Sequence, residues 1–329
     1  MNKRVTMEPL AGFGPQRLIA DIGGTNARFA LLSADGTIAQ HATLACADYP
    51  DIVSAVGAYL LQAGRPVIDE AAFAIANPIT GDRVQMTNHH WAFSIEESRR
   101  ALGLKRLIFK NDFTALAMSI PALPSEELKQ VGGTLGEKGN ALAVIGPGTG
   151  LGVSGLVRSG HHWIPLEGEG GHVTVSPANG RECAILQRCW TWYDHVSAER
   201  LVSGMGLQNL YRAICSLEGF AAEALSPAEI SERALAANDP YCEEALAIFC
   251  ALLGSVSGNL VLTLGAFGGV YIGGGIVPKL GDYFAASAFR KRFEAKGRFR
   301  AHLSEVPAFV IHAEKPALLG IAQAFELTA

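Results

Sequence analysis

Short apolar runs alternate with longer stretches of helical spacing along most of the 329-residue chain, and two pairs of apolar runs are joined by glycine-rich turns. Residues 17–20 and 29–32 read as strands on either side of Asp21-Ile22-Gly23-Gly24-Thr25-Asn26. Residues 141–145 and 151–157 flank Gly146-Pro147-Gly148-Thr149-Gly150 in the same way. After the first turn the pattern predicts a strand at 37–45, a helix at 52–62 and an apolar strand at 71–76 that stops at Pro78. Gly81-Asp82 marks a hairpin, and Ser94 with Glu97 three residues later is a capping box that opens a helix running to Leu102. A strand at 107–110 meets Asn111-Asp112 and a helical run at 113–120, and 121–140, carrying prolines and charges, reads as the crossing into a second domain.

The second half opens on the same plan and then turns helical, with helices expected at 181–195, 198–217, 227–237 and 241–264. A strand at 270–272 runs into Gly273-Gly274-Gly275, a last strand lies at 309–312, and a helix at 316–325 closes the chain. Residues 245–278 contain no charge, and 245–267 is long enough to cross a bilayer. Its serines, Asn259, Thr263 and glycines favour a buried central helix instead. The likeness between Ile22-Gly23-Gly24-Thr25 and Gly146-Pro147-Gly148-Thr149 is a weak internal repeat, which predicts two related sheets.

Composition narrows the class. With 49% hydrophobic and 18% charged residues the chain can bury a large interior, and its length favours two domains. A net charge of −4 leaves no electrostatic footprint for nucleic acid or an anionic membrane. Six scattered cysteines do not form a disulfide framework, and residues 1–16 lack the apolar core of a signal peptide, so a flexible extension and a cytoplasmic location are expected.

The turns supply the chemistry. Gly, Thr and Asn let backbone N–H groups approach an anion closely, and two such turns read as two jaws on one polyphosphate. Asp21, at a strand end beside the first turn, suits Mg²⁺ ligation directly or through water, or simple capping of the turn. Gly148-Thr149-Gly150 is a second phosphate loop or an ordinary tight hairpin. Asn111-Asp112 caps a helix or places a carboxylate in a cleft at the carboxyl end of a strand. Glu169 and His172, separated by two glycines, can turn to one side of a bend, and Glu199 lies near the expected start of a helix, where the dipole also favours an acid.

Six segments in order carry a family resemblance: Ala20-Asp21-Ile22-Gly23-Gly24-Thr25-Asn26-Ala27-Arg28, Asn77-Pro78-Ile79-Thr80-Gly81-Asp82, Asn111-Asp112-Phe113-Thr114-Ala115, the Gly146 to Gly152 turn, Glu167-Gly168-Glu169-Gly170-Gly171-His172 and Ala198-Glu199-Arg200. Together they resemble the bacterial glucokinases. The resemblance implies an α/β, two-domain actin-like ATPase (ribonuclease H-like) fold with the ligand cleft between the domains: a small domain of 17–121 plus 314–329 and a large one of 122–313. It implies transfer of the ATP γ-phosphoryl group to the 6-hydroxyl of glucose, with Asp112 as general base and Asn111, Glu169, His172 and Glu199 on the sugar hydroxyls. It assigns Ala20, Asp21, Ile22, Gly23, Gly24 and Thr25, with Gly148, Thr149 and Gly150, to the phosphates of ATP, and Gly273, Gly274 and Gly275 to adenosine. Mg²⁺ with ATP is implied at Asp21, and the resemblance also suggests a homodimer. A kinase for another hexose or amino sugar, or a non-catalytic sugar sensor, is the competing reading. Cys183 and Cys189 follow His172 without a C-x-C or C-x₂-C pair, so the zinc motif of some sugar kinases is not expected.

Overall fold

In a computed structural model of the chain, residues 16–87, 89–134 and 139–326 are described. The expected 1–16 extension lies outside them except for Gln16, which begins the first strand. The chain divides into two compact units, one of the described residues up to Ala115 with those from Ala317 on, the other Leu116–Pro316.

The first unit is built on a five-stranded sheet of β1 (Gln16–Ile22), β2 (Asn26–Leu32), β3 (Ile38–Ala45), β4 (Ile68–Ile75) and β7 (Arg106–Asn111), with β5 (Arg83–Gln85) and β6 (Ala92–Ser94) as a separate hairpin. The order is β3-β2-β1-β4-β7; β1, β2 and β3 are antiparallel, whereas β4 and β7 run parallel to β1. Parallel strands need crossovers, which α1 (Ile52–Gln62) and α2 (Ile95–Ala101) supply. Leu18, Ala20, Phe29 and Phe73 bury against Val56 and Tyr59 of α1, with the Phe29 and Tyr59 rings stacked at 5.1 Å.

The second unit contains α3 (Asp112–Ser119) from Leu116 on, then β8 (Leu128–Gln130), β9 (Ala141–Pro147), β10 (Leu151–Ser159), β11 (His162–Glu167), α4 (Gly180–Trp190), α5 (Gly204–Leu217), α6 (Pro227–Leu235), α7 (Pro240–Leu264) and β12 (Val270–Ile272). Four short helices follow, α8 (Val277–Leu280), α9 (Asp282–Ala286), α10 (Phe289–Glu294) and α11 (Arg300–Glu305), before β13 (Ala308–Ile311); α12 (Pro316–Ala322) belongs to the first unit from Ala317 on. Its sheet order, β11-β10-β9-β12-β13-β8, repeats the first sheet's sequence of two antiparallel and two parallel pairings and adds β8 at the edge. The faint sequence repeat therefore marks a duplicated topology.

The uncharged segment is α7, capped by Asp239 and ended by Gly265 in the left-handed conformation at φ 62°. It is long and apolar enough to cross a membrane, and most of that stretch is buried in the protein. Gly254 and Gly258, four residues apart, explain how: a Cβ on them would lie 2.2 Å from the Phe289 carbonyl oxygen and 2.5 Å from that of Phe293, so only glycine lets α10 pack this close. Glycine replaces side-chain bulk with backbone contact, and the interior fills with Phe249, Phe289 and Phe293.

Several expectations change. Gly81-Asp82 is not the hairpin turn, which lies between Gln85 and Ala92. Asp82 instead accepts hydrogen bonds from the Ser94 hydroxyl at 2.6 Å and the Glu96 N–H at 2.9 Å, closing the start of α2. The helix expected at 181–195 ends at Trp190, and the one expected at 198–217 begins at Gly204 behind its cap Ser203. The crossing segment contains β8, an edge strand of the second sheet. Strand β11 and helices α8 to α11 were not anticipated, because each is short and lacks a clear period.

Candidate active site

Both sheets gather their glycine-rich turns at the carboxyl ends of parallel strands. In the first, Ile22 pairs with Ile75 and Ile75 with Asn111, so the turn after β1, the Asn77 loop after β4 and Asn111-Asp112 after β7 stand at one edge. In α/β sheets that edge is where ligands bind, because crossover loops open there. Ala20, Asp21 and Ile22 belong to β1, leaving Gly23-Gly24-Thr25 as the turn, closed by Gly23 N–H donating to Asn26 O at 2.9 Å. Asp21 lies opposite Arg28 across the β1–β2 ladder and accepts a 3.0 Å hydrogen bond from its Nη1. Burial pushes the Asp21 carboxyl above the usual carboxylate range, and the Arg28 charge works against that shift. Capping of the turn is thus not what occupies Asp21.

Asn77 braces the edge. Its Oδ1 accepts from Thr87 N–H at 2.8 Å and the Thr87 hydroxyl at 2.9 Å, and its Nδ2 donates to Gln85 O at 2.9 Å. Asn111 does cap α3, with Oδ1 accepting from Phe113 N–H at 2.9 Å and Thr114 N–H at 3.3 Å, while Nδ2 donates to Asn77 O at 3.4 Å. Asp112 is the first residue of α3 and half-buried, and its Oδ1 accepts from Phe113 N–H at 2.9 Å. Capping therefore falls to Asn111, which fixes the backbone from which Asp112 projects.

In the second unit Ile145, Ile272 and Val310 are aligned, which places Gly148-Thr149-Gly150 and Gly273-Gly274-Gly275 side by side. Gly273 N–H donates to Ile145 O at 2.9 Å, and a Cβ on Gly274, at φ 78°, would lie 2.4 Å from Pro147 O. The Gly148 carbonyl in turn accepts from Gly204 N–H, at the start of α5, at 2.8 Å. These turns and α5 border a cavity of about 700 Å³, with Ser226, Pro227, Glu232 and Lys279 on its other walls. A volume of this size suits a nucleotide-sized ligand. Sequence reasoning assigned none of the four to a site; Ser226 and Glu229 form a capping box with both hydrogen bonds made, which reads as structure rather than as a pocket wall.

Glu199 ties the Glu169–His172 bend to the Gly148-Thr149-Gly150 turn. It lies in the irregular stretch before α5, so a helix dipole does not account for it. Its N–H donates to Gly171 O at 2.9 Å, its Oε2 accepts from Leu151 N–H at 2.9 Å, and its Oε1 is 4.0 Å from His172 Nδ1. A Cβ on Gly150 would fall 2.5 Å from Glu199 Oε2 and would press that carboxylate out of its present position. Glu169 and His172 bracket a single helical turn of Gly170–His172 and are both exposed. A carboxylate, an imidazole and a second carboxylate thus line one bend, able to accept and donate to several hydroxyls at once.

A family model described as Glucokinase matches residues 18–328. The chain belongs to the glucokinase family. It is 56% identical to the glucokinase of Aromatoleum aromaticum over 312 residues, covering 94% of each chain, and 52% identical to that of Neisseria meningitidis serogroup B over 313 residues, covering 95% of each. Among solved structures it resembles a glucokinase from an Antarctic psychrotroph with a TM-score of 0.87 at 34% identity, over 96% of this chain and all of that one. The glucokinase of Balamuthia mandrillaris in complex with glucose shares the fold, with a TM-score of 0.75 at 20% identity over 94% and 92% of the two chains. The α/β fold is that of the sugar kinases, as the ordered turns implied.

Proposed function

We propose that this glucokinase-family chain transfers the γ-phosphoryl group of ATP to the 6-hydroxyl of glucose. The observation that carries the reading is Asp112, a carboxylate at the carboxyl end of a parallel strand, level with the Gly23-Gly24-Thr25 turn and held by an Asn111 cap. Asp112 accepts the hydroxyl proton as the phosphoryl group leaves ATP. A carboxylate is in general a weak base toward an alcohol. It suits a loose transition state, in which orientation and late proton acceptance matter more than early deprotonation.

Asn111, Glu169, His172 and Glu199 hold the remaining sugar hydroxyls. A site built on such fixed donors and acceptors rejects analogues that leave one unpaired. Gly23-Gly24-Thr25 and Gly148-Thr149-Gly150 cradle the phosphates, while Gly273-Gly274-Gly275 and the cavity beside them take the nucleoside. Asp21 is the residue that would hold the Mg²⁺ accompanying ATP, through water, since one of its oxygens already serves Arg28. No group of three or more acidic, His or Cys ligands occurs among the described residues, which fits an ion borne mainly by phosphate and water. Bound there, it offsets phosphate charge. We extend the reading to a cytoplasmic homodimer, which sedimentation of the purified protein tests.

The test is a coupled assay of ADP release across hexoses, amino sugars and phosphoryl donors. Glucose with ATP should give the highest kcat/KM. A higher value for another sugar would overturn the substrate, and glucose binding without ADP release would make the protein a sensor.

A further inference from the structure

A second cavity, of about 500 Å³, lies between α4, α5 and the segment leading into α6. Leu225 closes it on the α6 side, its carbonyl accepting from Gln208 Nε2 at 2.7 Å. No residue of the reaction described above lines it.

Its charge balance is unusual. Arg188 from α4 and Arg212 from α5 both line it, and among the described residues neither meets a carboxylate within ion-pair distance. The Arg188 Nε is buried with no hydrogen-bond partner. Arg212 lies over the Trp192 ring at 3.9 Å, a stacking that engages the guanidinium face and leaves its N–H edge for an acceptor. The single acid in the wall, Glu223, already accepts from Arg233 Nη2 at 2.9 Å. Gln208, Arg212 and Ser216 recur every four residues on α5 and so share one face of the helix toward the cavity, and Trp192 and Phe220 also line it.

We propose that this cavity is a binding site for a small organic phosphomonoester. Two guanidinium groups without acid partners match a phosphate dianion, for which arginine offers parallel N–H donors. The aromatic walls receive the organic part, and the volume admits a hexose phosphate or a nucleoside monophosphate.

The test is isothermal titration of the full chain with phenyl phosphate, with benzyl alcohol as the uncharged control. The wild type should bind phenyl phosphate saturably and benzyl alcohol far more weakly. Arg212→Gln, at an exposed position, should weaken binding roughly tenfold or more, the loss expected for a charge-assisted hydrogen bond. Glu223→Gln should tighten it by removing the nearby negative charge. Equal binding by wild type and Arg212→Gln would overturn the proposal and place the anion at the glycine turns; equal affinity for benzyl alcohol would overturn it by making the cavity merely apolar. Titrating a hexose phosphate and AMP in parallel identifies the source, since the true ligand class must lose affinity in Arg212→Gln.

Discussion

Gly171→Ala tests whether the Glu169–His172 bend is held by contacts that only glycine permits. A Cβ at this buried position would lie 2.0 Å from the Leu151 carbonyl oxygen, a backbone atom in β10 that cannot swing aside. Carbon and carbonyl oxygen ordinarily approach no closer than about 3.3 Å, so the bend must move by on the order of 1 Å. That shift strains the 2.9 Å hydrogen bond from Glu199 N–H to Gly171 O and displaces Glu169 and His172 together. A misplacement of about 1 Å costs on the order of 10²-fold in rate, or about 2.7 kcal/mol of transition-state stabilisation. Steady-state assays with glucose as the varied substrate should show this loss in kcat/KM, with the KM for ATP changed far less. Gly168→Ala is the control: it stands in the same motif, but its Cβ would meet nothing within 4 Å, and activity should be preserved. If Gly171→Ala keeps near-wild-type activity, or Gly168→Ala loses as much, the bend does not position sugar-binding groups.

Gly274→Ala should act on the other substrate, because at φ 78° its Cβ would lie 2.4 Å from Pro147 O, beside the Gly148-Thr149-Gly150 turn proposed to hold phosphate; calorimetry should find ATP binding weakened and glucose binding intact. Glu182 is buried and accepts a bidentate pair from Arg292, so Glu182→Gln should cost about 3–5 kcal/mol in urea denaturation by stranding the guanidinium. Burial raises the Glu182 pKa, but Arg292 and the Ala178 N–H and Asn179 donors overcome it and leave the value below the ordinary 4.5. The pair's contribution is therefore complete above pH 4.5 and lost as pH falls through the lower folded value; thermal melts at descending pH should show this for the wild type and a shallower dependence for Glu182→Gln.

Local chemistry made much of the fold legible. Helix α1 runs over Ile52–Gln62 as expected because Asp51 caps it and its apolar spacing is regular. Strand β12 matches because Gly269 and Gly273 bracket a short apolar run. The misreadings arose where tertiary contacts decide. Residues 198–203 have helical composition, yet Glu199 spends its backbone N–H on Gly171 and its side chain on Leu151, which delays α5 until Ser203. The Gly81-Asp82 pair looks like a turn, but Asp82 is committed to Ser94 and Glu96, twelve and fourteen residues away. The proposed site residues stand in recognisable motifs, but which glycine is obligatory is not legible there: Gly168 is exposed with room for a Cβ, whereas Gly171 is buried and a Cβ on it would meet the Leu151 carbonyl. The arginine-lined cavity is not legible in the sequence, since its residues come from α4, α5 and the loop after each, and only the fold brings them together.

The proposed reaction turns on proton transfer from the glucose 6-hydroxyl to Asp112. Asp112→Asn keeps the side chain's shape and its Oδ1 as an acceptor for Phe113 N–H, so folding and ligand binding should be retained. Its kcat for ADP release with glucose should fall about 10²–10⁴-fold, the range expected for loss of a general base, while calorimetric affinities for glucose and ATP stay within a few-fold of the wild type. Glucose phosphorylation by Asp112→Asn at close to the wild-type rate would show that Asp112 is not the base.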